Sequence, residues 1–146
     1  MTAHFRFAGH WDIAGPPDTV AALLADLAAY PSWWPQVLAV ASLGPEDARV
    51  LCRSTLPYTL DLVLHAERRE TRVLETSISG DLDGRVRWTV GDSVDGTSLS
   101  WEQEVSVTGW LAGAAYVGRP LLAWNHRRMM AGGIAGLRRE VARRRG

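Results

Sequence analysis

A single histidine stands in the middle of an apolar helical stripe near the end of the chain. Between Leu121 and Val141, a period of about 100° per residue places six residues on one side: Leu122, Met129, Met130, Gly133, Leu137 and Val141. His126 falls at the centre of that stripe, where a titratable ring is costly unless it has a hydrogen-bond partner. Its imidazole could contact a polar group of a ligand, or act as an acid or base on an enolisable substrate. The simpler interpretation is a core histidine bonded to a neighbouring protein group.

Two polar residues interrupt the apolar faces of predicted strands and could act with His126. Gln103 stands on the apolar face of the alternating segment Leu99–Val107. A buried amide needs partners, so Gln103 could pair with His126, with a ligand or with a bulged strand. In a reaction it could stabilise negative charge that develops on an oxygen. Thr76 takes a similar place in the segment Leu74–Gly80.

The chain holds seven tryptophans, more than a core of this size usually needs. Alternation directs Trp88 and Trp101 to the same side of neighbouring strands, with Tyr58 also on that side. Aromatic walls suit flat or hydrocarbon ligands, and packing within the core is the alternative. Trp33 and Trp34 lie between two prolines, where they could form the rim of a cavity or fasten the first helix to the sheet.

Flexible and small residues accompany His126 on the predicted helix. Met129, Met130 and Leu122 offer an adaptable apolar surface that could line a pocket. The same helix carries three glycines, Gly132, Gly133 and Gly136. Each costs up to about 1 kcal/mol relative to alanine, so the glycines are expected to serve close packing or to leave room for a ligand.

The elements that must position these residues follow the order of an α+β domain. Residues 4–13 alternate as a strand, and Pro17 and Asp18 suit the first turn of a helix that continues to about Ala29. A proline then stops that helix, and residues 31–35 form a second short helix or turn.

From there to about Val107, alternation and turn signals predict an antiparallel sheet. The turn signals are Gly44–Asp47, Leu56-Pro57, Glu67–Glu70, Asp83-Gly84 and Asp95-Gly96. One face is apolar and the other is charged, with Asp61, Glu67, Arg85, Arg87, Glu102 and Glu104. The glycine-rich residues 109–118 are predicted to connect the last strand to a final helix that begins near Pro120. A sheet of about seven strands must curl, and that helix could cover its concave side.

Composition argues against several classes of function. The 146 residues suit one domain, 1–146, and 16 arginines balance 16 acidic residues, so the charge gives no support for a nucleic-acid partner. Cys52 is alone, which rules out an intrachain disulfide or a cysteine-pair zinc site. The four histidines do not cluster, and no nucleotide or zinc-enzyme motif is present, so we predict no metal and no cofactor. The sequence shows neither a signal peptide nor a transmembrane segment, which predicts a cytoplasmic protein.

Three segments of the chain together resemble a known family. They are WDIAGPPDTVAALLADLAAYPSWWP near the start, SGDLDGRVRW in the middle and WNHRRMMAGGIAGLRRE at the end. In this order they resemble the helix-grip superfamily of birch-pollen allergens and START-type lipid-binding domains. More narrowly, they resemble its bacterial polyketide cyclase/dehydrase and lipid-transport branch, often labelled SRPBCC. The resemblance implies seven strands wrapped around the last helix, with a cavity between them, but no single activity, because such folds host many.

The sequence departs from the cyclases of that branch at its arginines. Those enzymes are expected to line their pockets with arginine and aromatic residues. Here Arg85 and Arg87 alternate with Val86 and Trp88, which predicts that both arginines face water. Arg53 alone has an ambiguous orientation.

Three hypotheses for function follow. The first is a protein that holds one hydrophobic or aromatic small molecule, lipid-like or polyketide-like, as a monomer or weak homodimer. Its pocket would be lined by Tyr58, Thr76, Trp88, Trp101, Gln103, Leu122, His126, Met129, Met130 and Gly133. The second is a polyketide cyclase, dehydratase or aromatase with His126 as catalytic acid or base. The third is an interaction module whose cavity is filled by its own side chains, and whose contact surface is Trp124 with the arginine-rich end of the last helix.

Overall fold

Seven antiparallel strands form one sheet in the computed structural model, which describes the backbone of residues 2–53, 59–70, 72–108 and 110–145. The strands are β1 (Thr2–Ala14), β2 (Val37–Ser42), β3 (Asp47–Arg53), β4 (Thr59–Arg69), β5 (Val73–Gly80), β6 (Asp83–Ser93) and β7 (Gly96–Thr108). Their order across the sheet is β1-β7-β6-β5-β4-β3-β2. Strand β1 therefore pairs with β7 at one edge, and β2 forms the other edge. Tyr58 and the side chain of Leu122 lie outside the described residues.

The helices complete the predicted α+β, helix-grip fold, which is confirmed. Helix α1 (Pro17–Ala25) and a 3₁₀ helix (Leu27–Ser32) follow β1, and the long helix α2 (Trp110–Arg145) comes last. Helix α2 packs against β1, β7 and α1. Leu137 and Val141 on its inner face are fully buried, so this part of the helix supplies the central core contact of the fold.

The first helix ends earlier than the sequence predicts. Helix α1 stops at Ala25 rather than near Ala29, because Asp26 takes a non-helical conformation with φ −94° and ψ 79°. The following 3₁₀ helix contains Pro31, whose fixed φ suits this tighter helix although the missing N–H would interrupt an α-helix. The predicted second helical turn is therefore present, but it begins before the first proline of the PSWWP segment.

The β5–β6 turn is also displaced from its predicted position. Asp83 and Gly84 belong to β6, and the turn lies at Asp81–Leu82, directly after Gly80. Gly80 supplies the positive φ of +108° that we expected from Gly84. Gly84 is required for a different reason, because a Cβ there would lie 1.9 Å from the backbone oxygen of Glu104 on β7.

The segment predicted as a connector before the last helix is itself helical. Helix α2 begins at Trp110, and its one described departure from helical geometry is Gly118, with φ −106° and ψ 23°. Pro120 follows two residues later, and its ring and missing N–H explain why the helix is kinked at this position. The helix therefore has a kink near Pro120, where the sequence predicted that it would begin.

Charged residues cover the outer face of the sheet, as the alternation predicts. Glu75 and Glu102 on neighbouring strands pair with Arg87, and Asp61 accepts a hydrogen bond of 2.9 Å from Arg49. Such exposed pairs contribute about 0–1 kcal/mol each, so their main effect is to keep this face in water. Arg53 is exposed as well, which resolves its ambiguous orientation toward the outside.

Candidate functional site

A cavity of about 170 Å³, called here the main cavity, lies between the concave face of the sheet, the 3₁₀ helix and α2. Its wall is mostly apolar, and only a few polar side chains reach it. The lining includes Leu24, Tyr30, Trp34, Val50, Cys52, Leu62, Leu74, Thr76, Ile78, Leu82, Val86, Trp88, Trp101, Gln103, His126, Met129 and Met130. A concave, mostly apolar space with few polar groups is the usual form of a small-molecule site.

Strand register brings the polar residues of the cavity into one row. Phe7 lies opposite Gln103, Gln103 opposite Val86, and Val86 opposite Thr76, across strands β1, β7, β6 and β5. Because neighbouring strands lie about 4.8 Å apart, Gln103 and Thr76 are separated by roughly 10 Å. Val86 lies between the two polar residues, so the wall between them is apolar, and Ala66 on β4 continues the row beyond Thr76.

His126 is held from two sides. Its Nε2 atom lies 2.8 Å from Oε1 of Gln103, and its ring stacks on Phe7 with 3.7 Å between ring centroids. The amide oxygen can only accept, so Nε2 carries the hydrogen and Nδ1 is an acceptor. The imidazole is therefore both bonded within the core and part of the cavity wall, as the two interpretations from the sequence separately proposed.

Burial lowers the pKa of His126 to about 4, because an imidazolium would be poorly solvated in this apolar setting. The ring is neutral near pH 7 and has no imidazolium proton to donate. A conjugate acid with so low a pKa also makes Nδ1 a weak base at neutral pH. This electrostatic setting suits a neutral hydrogen-bonding contact better than proton transfer.

The predicted aromatic wall forms from two adjacent tryptophans on the sheet. Trp88 and Trp101 lie opposite each other on β6 and β7, with ring centroids 4.3 Å apart and planes inclined by 60°. Both are buried and both line the main cavity. Leu74 on β5 continues this second row of side chains next to the row that contains Gln103.

The sequence left open whether Trp33 and Trp34 form the rim of a cavity or fasten the first helix to the sheet, and the two residues differ in the structure. Trp34 lines the main cavity and donates its indole N–H to the backbone oxygen of Met129 at 3.0 Å, which fastens the 3₁₀ segment to α2. Trp33 is buried against α2 at Gly136 and is not among the lining residues. Gly133 is not on the wall either, because it lies beneath Trp34, whose ring would stand 2.5 Å from a Cβ at that position. Gly133 therefore allows the close packing of Trp34 on α2, which is one of the two roles that the sequence left open.

Several lining residues were not singled out from the sequence. Tyr30 donates its hydroxyl to the backbone oxygen of Leu24 at 2.6 Å, and burial raises the pKa of that hydroxyl. Cys52 is a buried thiol whose pKa burial raises to about 11, so it is neutral near pH 7. Its alternation with Val50 on β3 was the signal that could have identified both residues. Leu82 carried no such signal, because it lies in a turn.

A second cavity of about 90 Å³ lies beside the main cavity, toward β1. Its wall is formed by Phe5, Phe7, Leu60, Leu82, Gln103, Val105, Val107, Asn125, His126 and Met129. The aromatic rings of Phe5 and Phe7 stack with centroids 5.9 Å apart, and Arg119 lies 4.4 Å above the ring of Phe5. His126 therefore lines both cavities.

Charged and metal-binding groups do not gather at this site in the described part of the chain. The described wall of the main cavity contains no arginine, and its one carboxylate, Glu75, is hydrogen-bonded to Arg87. Among the described residues, no group of three or more His, Cys, Asp or Glu side chains could hold a metal ion. No helix in the same residues has the length and hydropathy needed to cross a membrane.

On the far side of α2, Trp124 is exposed and Arg128 lies over its ring at 5.7 Å.

The sequence model of one family accounts for almost all of the chain. The family described as polyketide cyclase / dehydrase and lipid transport matches residues 4–142. The chain belongs to this family. The resemblance drawn from the three sequence segments is thereby confirmed, while the activity of this member of the polyketide cyclase / dehydrase and lipid transport family is a separate question.

Solved structures with the same fold come from several organisms. A START superfamily protein from Mycobacterium smegmatis is 17% identical with a TM-score of 0.78, covering 97% of this chain and 99% of its own. A protein from Thermus thermophilus is 15% identical with a TM-score of 0.82 and coverage of 99% and 100%. The Zhui aromatase/cyclase from a Streptomyces species is 16% identical with a TM-score of 0.72 and coverage of 100% and 97%. No curated protein matches the chain by sequence. At these identities the likeness shows the fold of this family member and not its ligand.

Proposed function

We propose that this family member binds one neutral hydrophobic or aromatic small molecule in the main cavity. The observation that carries the proposal is the mostly apolar wall into which one pair of polar side chains, Gln103 and His126, is set with a hydrogen bond between them. Burial of apolar ligand surface at about 25 cal/mol per Å² would supply most of the binding free energy. Trp88, Trp101 and Trp34 offer the aromatic surface for a ring or a hydrocarbon chain.

The ligand is proposed to be neutral because nothing on the described wall would compensate a charge. His126 is uncharged near pH 7, and the Glu75 carboxylate accepts a hydrogen bond from Arg87 on the neighbouring strand. A carboxylate or ammonium group placed against Trp88 or Val86 would lose its hydration without gaining a partner. A carbonyl or hydroxyl group, by contrast, can bond to Gln103 or His126.

The alternatives are less well supported by this geometry. A cyclase or dehydratase with His126 as catalytic acid would need an imidazolium, whereas the low pKa of this ring leaves it neutral near pH 7 and only weakly basic. An interaction module would need a cavity closed by its own side chains, whereas the main cavity is open space of about 170 Å³. The geometry therefore favours binding of a small molecule without turnover.

The proposal is tested by filling the cavity and measuring the binding of a neutral fluorescent probe, N-phenyl-α-naphthylamine. Val86 lies at the centre of the cavity wall, and Thr89 on the same strand faces outward. Val86→Phe is expected to weaken probe binding by roughly tenfold or more, because the new ring occupies the ligand space. Thr89→Phe adds the same ring to the outer face and is expected to change the affinity by less than about twofold.

Native mass spectrometry of the freshly purified protein provides a second measurement. A bound neutral molecule that Val86→Phe excludes and Thr89→Phe retains would support the proposal and supply the mass of the ligand. A wild-type protein that takes up neither the probe nor any co-purifying molecule would contradict it. Unfolding transitions of both variants must remain cooperative for the comparison to count.

A further inference from the structure

The two cavities share one wall. Leu82, Gln103, His126 and Met129 line both the main cavity and the second cavity, and we call these four residues the partition. The partition contains the only hydrogen bond described for the Gln103 side chain, which runs from His126 Nε2 to Gln103 Oε1. The polar pair of the site therefore lies between two apolar spaces and not at the end of one.

Two members of the partition are held in place. Gln103 is buried in the middle of β7, with β1 and β6 paired on either side of it. His126 is bonded to Gln103 and stacked on Phe7. A movement of the His126 ring or of the Gln103 amide would break these contacts. These two polar residues are therefore the fixed part of the partition.

The other two members can move without disturbing the sheet. Leu82 is half-buried in the turn between β5 and β6, and Met129 is a half-buried, unbranched side chain on α2. The base of that turn is fastened separately, because Asp81 and Asp61 exchange hydrogen bonds of 3.1 and 2.9 Å. Side-chain rotation of Leu82 and Met129 would therefore open the partition at its apolar half.

We propose that the bound molecule displaces Leu82 and Met129 and extends through both cavities, with one carbonyl or hydroxyl group against Gln103 and His126. This inference rests on the proposed function and specifies its ligand. A carbonyl accepts a hydrogen bond from the Gln103 amide N–H, and a hydroxyl can donate to Nδ1 of His126. The ligand is thus an elongated neutral molecule whose polar group lies between two apolar parts.

The test compares two isomeric thirteen-carbon ketones as competitors of N-phenyl-α-naphthylamine. In one the carbonyl is at the central carbon, and in the other it is at the second carbon. Only the central ketone can place an apolar arm in each cavity while its carbonyl faces Gln103, so it is expected to bind roughly fivefold more tightly, the ratio typical of one neutral hydrogen bond. Equal affinities of the two isomers for the wild-type protein would overturn the inference and leave the proposed function intact. Absence of probe binding would overturn both.

Two variants locate the effect in the partition. Gln103→Leu is expected to abolish the preference for the central ketone, because the amide donor is gone. Leu82→Trp is expected to weaken the central ketone by roughly fivefold or more by blocking the passage, while the isomer keeps its place in the main cavity. Val94→Trp puts the same ring at the exposed tip of the β6–β7 hairpin and is expected to have no effect. If Gln103→Leu fails to fold, Leu82→Trp alone tests the inference. A Leu82→Trp variant that still prefers the central ketone to its isomer by the wild-type ratio would overturn it.

Discussion

Gly136→Ala is expected to lower the free energy of unfolding by roughly 2–4 kcal/mol, measured by urea denaturation. A Cβ at this position would lie 1.6 Å from the backbone oxygen of Trp33, and backbone cannot move aside as a side chain can. The substitution therefore separates α2 from the 3₁₀ segment that encloses the main cavity. The intrinsic preference of helices for alanine over glycine would instead raise the free energy of unfolding by about 1 kcal/mol. A decrease therefore indicates the steric contact, and an increase indicates helix propensity alone.

Three other glycines of the same helix provide controls. Gly133→Ala would meet the ring of Trp34 at 2.5 Å, Gly132→Ala would meet the mobile end of a glutamine at 2.5 Å, and Gly118→Ala would meet nothing within 4 Å. The destabilisation is therefore expected to decrease in the order Gly136, Gly133, Gly132, Gly118. A gain of stability in all three variants at Gly132, Gly133 and Gly136, as helix propensity alone predicts, would show that the close approach does not exist.

Acidification from pH 7.5 to pH 5 is expected to remove about 2 kcal/mol of stability through His126 alone. The pKa of its imidazole is about 4 in the folded protein, against the ordinary histidine value of 6.5 that applies to the unfolded chain. Between these values the unfolded chain binds a proton that the folded protein excludes. The stability contributed by the neutral ring is complete above about pH 6.5 and is lost progressively as the pH falls toward 4.

The measurement is the difference in unfolding free energy between the wild type and His126→Gln at each pH. The pKa of His65 is raised, chiefly by its hydrogen bond to Asp47, and its effect has the opposite sign, but it is present in both proteins and cancels. Parallel pH profiles of the two proteins would contradict a buried neutral imidazole. A steeper loss in the wild type below pH 6.5 would support it.

Local alternation was enough to predict which strand residues face the cavity. Trp88, Trp101, Gln103 and Thr76 lie on the concave side because successive strand residues point to opposite faces, whatever the strand order. The stacking of Phe7 on His126 was not available in the same way. It depends on β1 pairing with β7 from the far end of the sequence, which no short segment encodes.

The displaced β5–β6 turn and the misplaced start of the last helix share one physical cause, since each prediction treated a glycine or proline as a boundary. Gly84 is inside a strand because another backbone approaches it, and Gly118 and Pro120 kink a helix that continues on both sides. The role of Gly133 depends on which surface the helix meets, and in the structure Trp34 packs closely at this position. The close contacts that other elements make with these glycines are set by tertiary packing, so composition alone does not reveal them.

The position of β1 beside β7 has a consequence for how the protein is made. Residues 2–14 are synthesised before the other described strands of the sheet, whereas their partner, residues 96–108, is the last of these seven strands to be synthesised. At roughly 5–20 residues per second, the nascent β1 waits several seconds with its backbone groups unpaired and its phenylalanines uncovered. During that interval the growing chain carries an open edge that can associate with other chains, and closure of the sheet depends on contacts between its two ends.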